Sequence, residues 1–82
     1  MHKHFKVTST REENGILVQR GESTFSFEGM VEEPNGEYMP HTFTVEGVQD
    51  RLDAINVVDS YYCGYFVRLS VRNMRKEVNL ND

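Results

Sequence analysis

Eighty-two residues with nine Lys and Arg against thirteen Asp and Glu, a net charge of −4 and a single cysteine set narrow bounds. A chain of this length forms one domain burying about 60–65% of its unfolded surface, which leaves little room for a deep enclosed active site. Lone Cys63 excludes an internal disulfide framework and fits a reducing, cytoplasmic setting; no run approaches the roughly 20 apolar residues that cross a bilayer.

The N-terminus, Met1-His2-Lys3-His4-Phe5, has no apolar run and does not read as a signal peptide. Phe5 to Thr10 alternates, with Phe5, Val7 and Ser9 on one side, and predicts a first strand. Arg11-Glu12-Glu13-Asn14-Gly15 then reads as a polar loop, and Ile16-Leu17-Val18-Gln19 as the returning strand of a hairpin. After a break at Gly21-Glu22-Ser23, Thr24 to Glu28 alternates again with Phe25 and Phe27 on one face, and Gly29 suggests a bulge. Glu32 to Glu37 is a turn containing Pro34 and Asn35-Gly36. Thr42 to Glu46 is a fourth strand, and Pro40 before it makes this strand short or an edge.

Val48, Leu52, Ile55, Val58 and Tyr62 recur at helical spacing, widened by Ala54, Val57 and Tyr61 into a stripe suited to a sheet. Asp50 is the predicted N-cap with Asp53 three residues on, and Gly64 fits the left-handed position after the last turn. The period then changes to two: Tyr65, Val67, Leu69 and Val71 alternate with Phe66, Arg68, Ser70 and Arg72, a half-buried strand with a basic outer face. The alternative, one helix continuing to Met74, conflicts with Gly64 and the β-rich composition after it. Residues 73–82 are polar and are expected to fray.

These elements predict an α+β fold spanning 1–82 in the order β-β-β-β-α-β. It would be an antiparallel-rich five-stranded sheet with one helix packed on one face. A small partly open β-barrel plugged by the helix is the alternative architecture. Were the strands flanking the helix parallel, their crossover would be right-handed.

No motif is specific enough to name a family. His2 and His4 lie two apart, but His41 is the one other histidine and no metal-ligand spacing supports a site. Cys63, with His41 as a base, would be a nucleophile only in an electropositive pocket; a small core residue is the plainer reading. Phosphate-binding and dinucleotide fingerprints are missing, and Glu12-Glu13 and Glu32-Glu33 sit in turn-like loops, so no enzyme and no cofactor is expected.

Charge is unevenly laid out: residues 1–21 carry four bases against two acids, 22–59 nine acids against Arg51 alone, and 60–82 four bases against two acids. Glu28, Glu32, Glu33, Glu37, Glu46, Asp50, Asp53 and Asp59 are expected to merge into one negative surface, with Tyr38 and Met39 as an apolar anchor. The function this layout points to is a non-catalytic protein-binding module, a small intracellular regulator or inhibitor acting on a basic protein partner. The plainer reading of the acids is solubilising charge. The alternative is single-stranded nucleic-acid binding through an aromatic and arginine strand face made by Phe66, Arg68, Arg72 and Arg75. Acidity overall disfavours non-specific nucleic-acid binding, and the plainer reading of the arginines is a charged face that guards a sheet edge. Homo-oligomerisation through exposed sheet edges is a third reading.

Overall fold

The computed structural model describes residues 3–62 and 66–77, with the side chains of 3–62 and 70–77. Six strands and one helix follow in order: β1 (Lys3–Thr8), β2 (Thr10–Glu13), β3 (Ile16–Gln19), β4 (Ser23–Glu32), β5 (Tyr38–Val48), α1 (Arg51–Tyr61) and β6 (Phe66–Glu77). The fold is a mixed α/β arrangement, but the predicted five-stranded sheet is divided. Four strands form one sheet in the order β1-β5-β4-β6, and β2 and β3 form a separate ribbon. β1 and β6 end the sheet on opposite sides and are not paired with each other, so the described residues do not close into the alternative barrel.

The division begins at the first turn. Asn14 and Gly15 both take positive φ, 54° and 80°, as a two-residue hairpin loop demands. Such a loop leaves no room for the expected five-residue connection, so Glu13 must sit opposite Ile16, and Thr10–Glu13 becomes the partner strand. Phe5 and Val7 are thereby released to pair in parallel with β5, opposite Phe43 and Val45. Buried Ser9 makes the corner, and its N–H donates to the Glu46 carbonyl at 2.9 Å. At the other foot of the ribbon Gly21 N–H donates to the Gly47 carbonyl at 2.9 Å, and a Cβ on Gly21 would run into the Val48 carbonyl.

β5 is neither short nor an edge. It runs for eleven residues between β1 and β4, pairing antiparallel with β4 from Val48 to Tyr38. Pro40 is tolerated because it pairs with Met30 of β4, while the described β1 pairing starts one residue later, at His41. Gly29 stays in step with His41 on the β5 side. The irregularity lies on its other flank, where β6 carries extra residues opposite Ser26–Met30 and Asn73 takes φ +54°. β6 is antiparallel to β4, so it runs parallel to β5 with β4 between them.

One face of the sheet alternates cleanly into the core: Phe25, Phe27 and Val31 from β4, Phe43 and Val45 from β5, Val7 from β1. Ala54 and Val58, one turn apart on α1, close it from above and are fully buried. The helix is rotated relative to the predicted stripe. Leu52, a member of that stripe, is 62% exposed, and Asp53, outside it, is buried. Val48 contributes to the core from β5 rather than from the helix. Asp50 caps α1 as predicted, its Oδ1 accepting from Asp53 N–H at 2.9 Å. The helix gives way to strand between Tyr62 and Phe66; Gly64 and Cys63 lie outside the described residues. β6 continues to Glu77, so residues 73–77 belong to the sheet rather than to a tail, and 78–82 lie outside the described residues. No helix among the described residues is long and apolar enough to cross a membrane.

Candidate functional site

β5 sorts the acidic residues. Its register puts Tyr38 opposite Glu32 at one end and Val48 opposite Ser23 at the other. At about 3.3 Å per residue these ends lie some 33 Å apart. Glu32, Glu33, Glu37, Tyr38 and Met39 gather at the β4–β5 turn, whereas Glu46, Asp50 and Asp53 sit at the far end near the start of α1. Glu28 lies between them on the polar face of the sheet.

Most of these carboxylates are engaged within the fold. Glu46 meets Lys6 at 3.2 Å, and Glu28 accepts from Asn73 Nδ2 at 3.0 Å. Asp50 is the helix cap, and Asp53 pairs with Arg20 at 3.2 Å while accepting from Gln49 N–H at 3.0 Å. Glu33 is bonded to both Lys3 and His41. Glu32 and Glu37 are the two of the seven strand, turn and helix-start carboxylates whose side chains meet no partner among the described residues. Both flank Tyr38, which is 54% exposed, and half-buried Met39.

The turn that presents them is tightly built. Glu33 N–H donates to the Glu37 carbonyl at 2.7 Å, Gly36 N–H to the Glu33 carbonyl at 2.8 Å, and Glu37 N–H to Asn35 Oδ1 at 3.0 Å. Gly36 takes φ +87°, which the glycine permits. A cleft of about 460 Å³ opens beside the turn, walled by Val31, Pro34 and Tyr62 and carrying Glu32 and Glu33.

Behind the cleft lies a cluster that the sequence reading did not assemble. His41 is 2% exposed. Its Nε2 is 3.1 Å from Glu33 Oε1 and its Nδ1 3.5 Å from the Tyr62 hydroxyl. Phe5 stacks on the imidazole at 4.9 Å with a 4° interplanar angle, and Tyr62 meets it edge-on at 6.0 Å. The bonds from His41 and then Lys3 hold Glu33 below the ordinary carboxylate value of 4.5. Burial, with Tyr61 and Glu33 nearby, pushes the Tyr62 phenol up to about 12. The signal for His41 was present: it alternates with Phe43 and Val45 and so belongs on the inner face once the strand is extended back through Pro40.

The arginine constellation is partly visible. Arg72 and Arg75 are exposed and pair with Glu28 and Ser26 on the polar sheet face. The side chains of Phe66 and Arg68 lie outside what is described; the backbone register pairs residue 66 with Val31 and Arg72 with Glu28. The register of β6 against β4 shifts between these two pairings. His4 is exposed, and no group of three or more His, Cys, Asp or Glu among the described residues is placed to hold a metal ion. Compared with protein families, curated proteins and solved structures, the chain matches none.

Proposed function

We propose that this chain is a non-catalytic protein-binding module, a small regulator or inhibitor that docks a basic segment of a protein partner at the β4–β5 turn. The observation that carries this reading is the pair Glu32 and Glu37. Their side chains are free of partners among the described residues, and they bracket exposed Tyr38. Free carboxylates steer a cationic partner, and an aromatic with an apolar body seals the contact. The cluster behind the turn supports a binding role over a catalytic one. Glu33, His41 and Tyr62 form a carboxylate–imidazole–hydroxyl chain, but an activated nucleophile needs a lowered pKa and Tyr62 is shifted upward, to about 12.

Reversing Glu32→Lys with Glu37→Lys is expected to weaken partner capture from native lysate at least tenfold while thermal unfolding is unchanged. Glu33 is left intact in this test because it ties Lys3 and His41 into the fold. Capture unaffected by the double reversal overturns the proposal.

A second reading, single-stranded nucleic-acid binding, is supported by the exposure of Arg72 and Arg75 on the polar sheet face. Engaged Glu28, opposite Arg72, counts against it. A salt-dependent gel shift lost on Arg72→Ala with Arg75→Ala would favour it over protein docking.

A further inference from the structure

Glu33 has two nitrogen partners on one oxygen: its Oε1 lies 3.2 Å from Lys3 Nζ and 3.1 Å from His41 Nε2. We propose that protonation of His41 transfers Glu33 from Lys3 to His41, releasing the start of β1 and adding one unit of positive charge beside the turn as pH falls. This deepens the docking reading, on which its consequence for a partner rests.

The two partners differ in what they can do instead. The Lys3 side chain is 57% exposed and hydrates when released, whereas the His41 side chain is 3% exposed. His41 packs against both Phe5 and Phe43, with ring centroids at 4.9 and 5.9 Å. Charged and titratable groups face it from three sides among the described residues. These are Lys3 from β1, Glu33 from the turn after β4, and Tyr62 with Tyr61 behind it from the end of α1. Gly29, opposite it on β4, brings no charge.

In the neutral ring, Nε2–H donates to Glu33 and Nδ1 accepts the Tyr62 hydroxyl, so both nitrogens are satisfied. A proton taken from solvent at Nδ1 turns the Glu33 bond, already made to a carboxylate, into an imidazolium–carboxylate ion pair and strengthens it. Tyr62 then turns from donor to acceptor and keeps its own proton. Two ammonium-type charges on one carboxylate oxygen repel, and the one with access to water leaves.

The test is an NMR titration of the full labelled chain from pH 4 to 9, in a His2→Gln, His4→Gln background that removes the histidines neighbouring Lys3 in sequence. The expected result is one shared midpoint for the His41 ring, the Glu33 carboxyl carbon and the Lys3 side chain, moved to higher pH by Lys3→Gln. A ring that stays neutral throughout, or one that titrates while Lys3 does not respond, overturns the proposal. Oligolysine titrated at pH 5.5 and pH 8 reads the consequence, with affinity expected to fall about two- to fivefold at the lower pH. Absence of oligolysine binding at both values overturns the docking reading, while the shared midpoint still decides the exchange.

Discussion

Asp53 shows how the cost of burying a carboxylate can be offset by partners on both oxygens. Oδ2 accepts the Gln49 N–H, Oδ1 meets Arg20, and its own N–H is taken by Asp50. Removing the side chain leaves a backbone donor unsatisfied at a closed helix end, so Asp53→Ala should cost about 1–3 kcal/mol in thermal or urea unfolding. Asp53→Asn should recover part of that loss, because an amide oxygen still accepts from Gln49. Glu33 and Tyr62 make a pH prediction of opposite signs. The folded carboxyl of Glu33 titrates below 4.5, so its contribution is present above that value and lost as pH falls through the folded one. The phenol of Tyr62 is raised from 10.0 to about 12, so its contribution is full below about 10 and lost as pH rises towards 12. Melting temperature against pH should therefore have a flatter acid limb in Glu33→Gln and a flatter alkaline limb in Tyr62→Phe. Asp53 was not legible as a buried residue, since its partner Arg20 comes from far along the chain, whereas the burial of His41 becomes legible once its strand is extended back through Pro40. Asp50 was legible because its partner is three residues away.

At the scale of elements the same division holds. The Asn14-Gly15 turn, the cap of α1 and the presence of a strand after the helix depend on neighbours in sequence, and each was readable there. Which strand the turn joins depends on the loop's length, and which face of α1 goes inward depends on the sheet beneath it. The apolar stripe through Leu52, Ile55 and Val58 is compatible with a range of rotations, and the sheet selects the one centred on Ala54 and Val58. Two substitutions measure that rotation directly. Val58→Ala, which deletes two fully buried methyl groups and leaves a cavity, should cost about 1.5–3 kcal/mol. Leu52→Ala, at a position 62% exposed, should change stability by less than about 0.5 kcal/mol. Equal losses from the two in chemical denaturation would return the helix to the orientation predicted from spacing alone.

For the molecule as a whole, the open sheet raises the question of what protects its edges. Among the described residues β1 and β6 each have one unpaired side, the usual template for joining a second copy. Both are basic. β1 carries exposed Lys3 and Lys6, and β6 carries exposed Arg72, Arg75 and Lys76. Side-by-side pairing of β1 with β1, β6 with β6 or β1 with β6 therefore brings like charges together. The acids that partly offset them, Glu46 beside Lys6 and Glu77 beside Arg75, sit on the same strands or one strand inward and reappear in every such pairing. Edge pairing should consequently be weakest at low ionic strength and gain as salt screens the repulsion, the reverse of what an acidic surface meeting a basic one would show. Sedimentation velocity is expected to give a monomer at low salt, with any dimer appearing only as salt is raised. Replacing Lys6, Arg72 and Arg75 by Thr should move the onset of association to lower salt without lowering the melting temperature. A dimer that is strongest at low salt would instead mean that the free acids of the β4–β5 turn meet a basic edge of another copy, making a second copy of this chain the occupant of the docking surface.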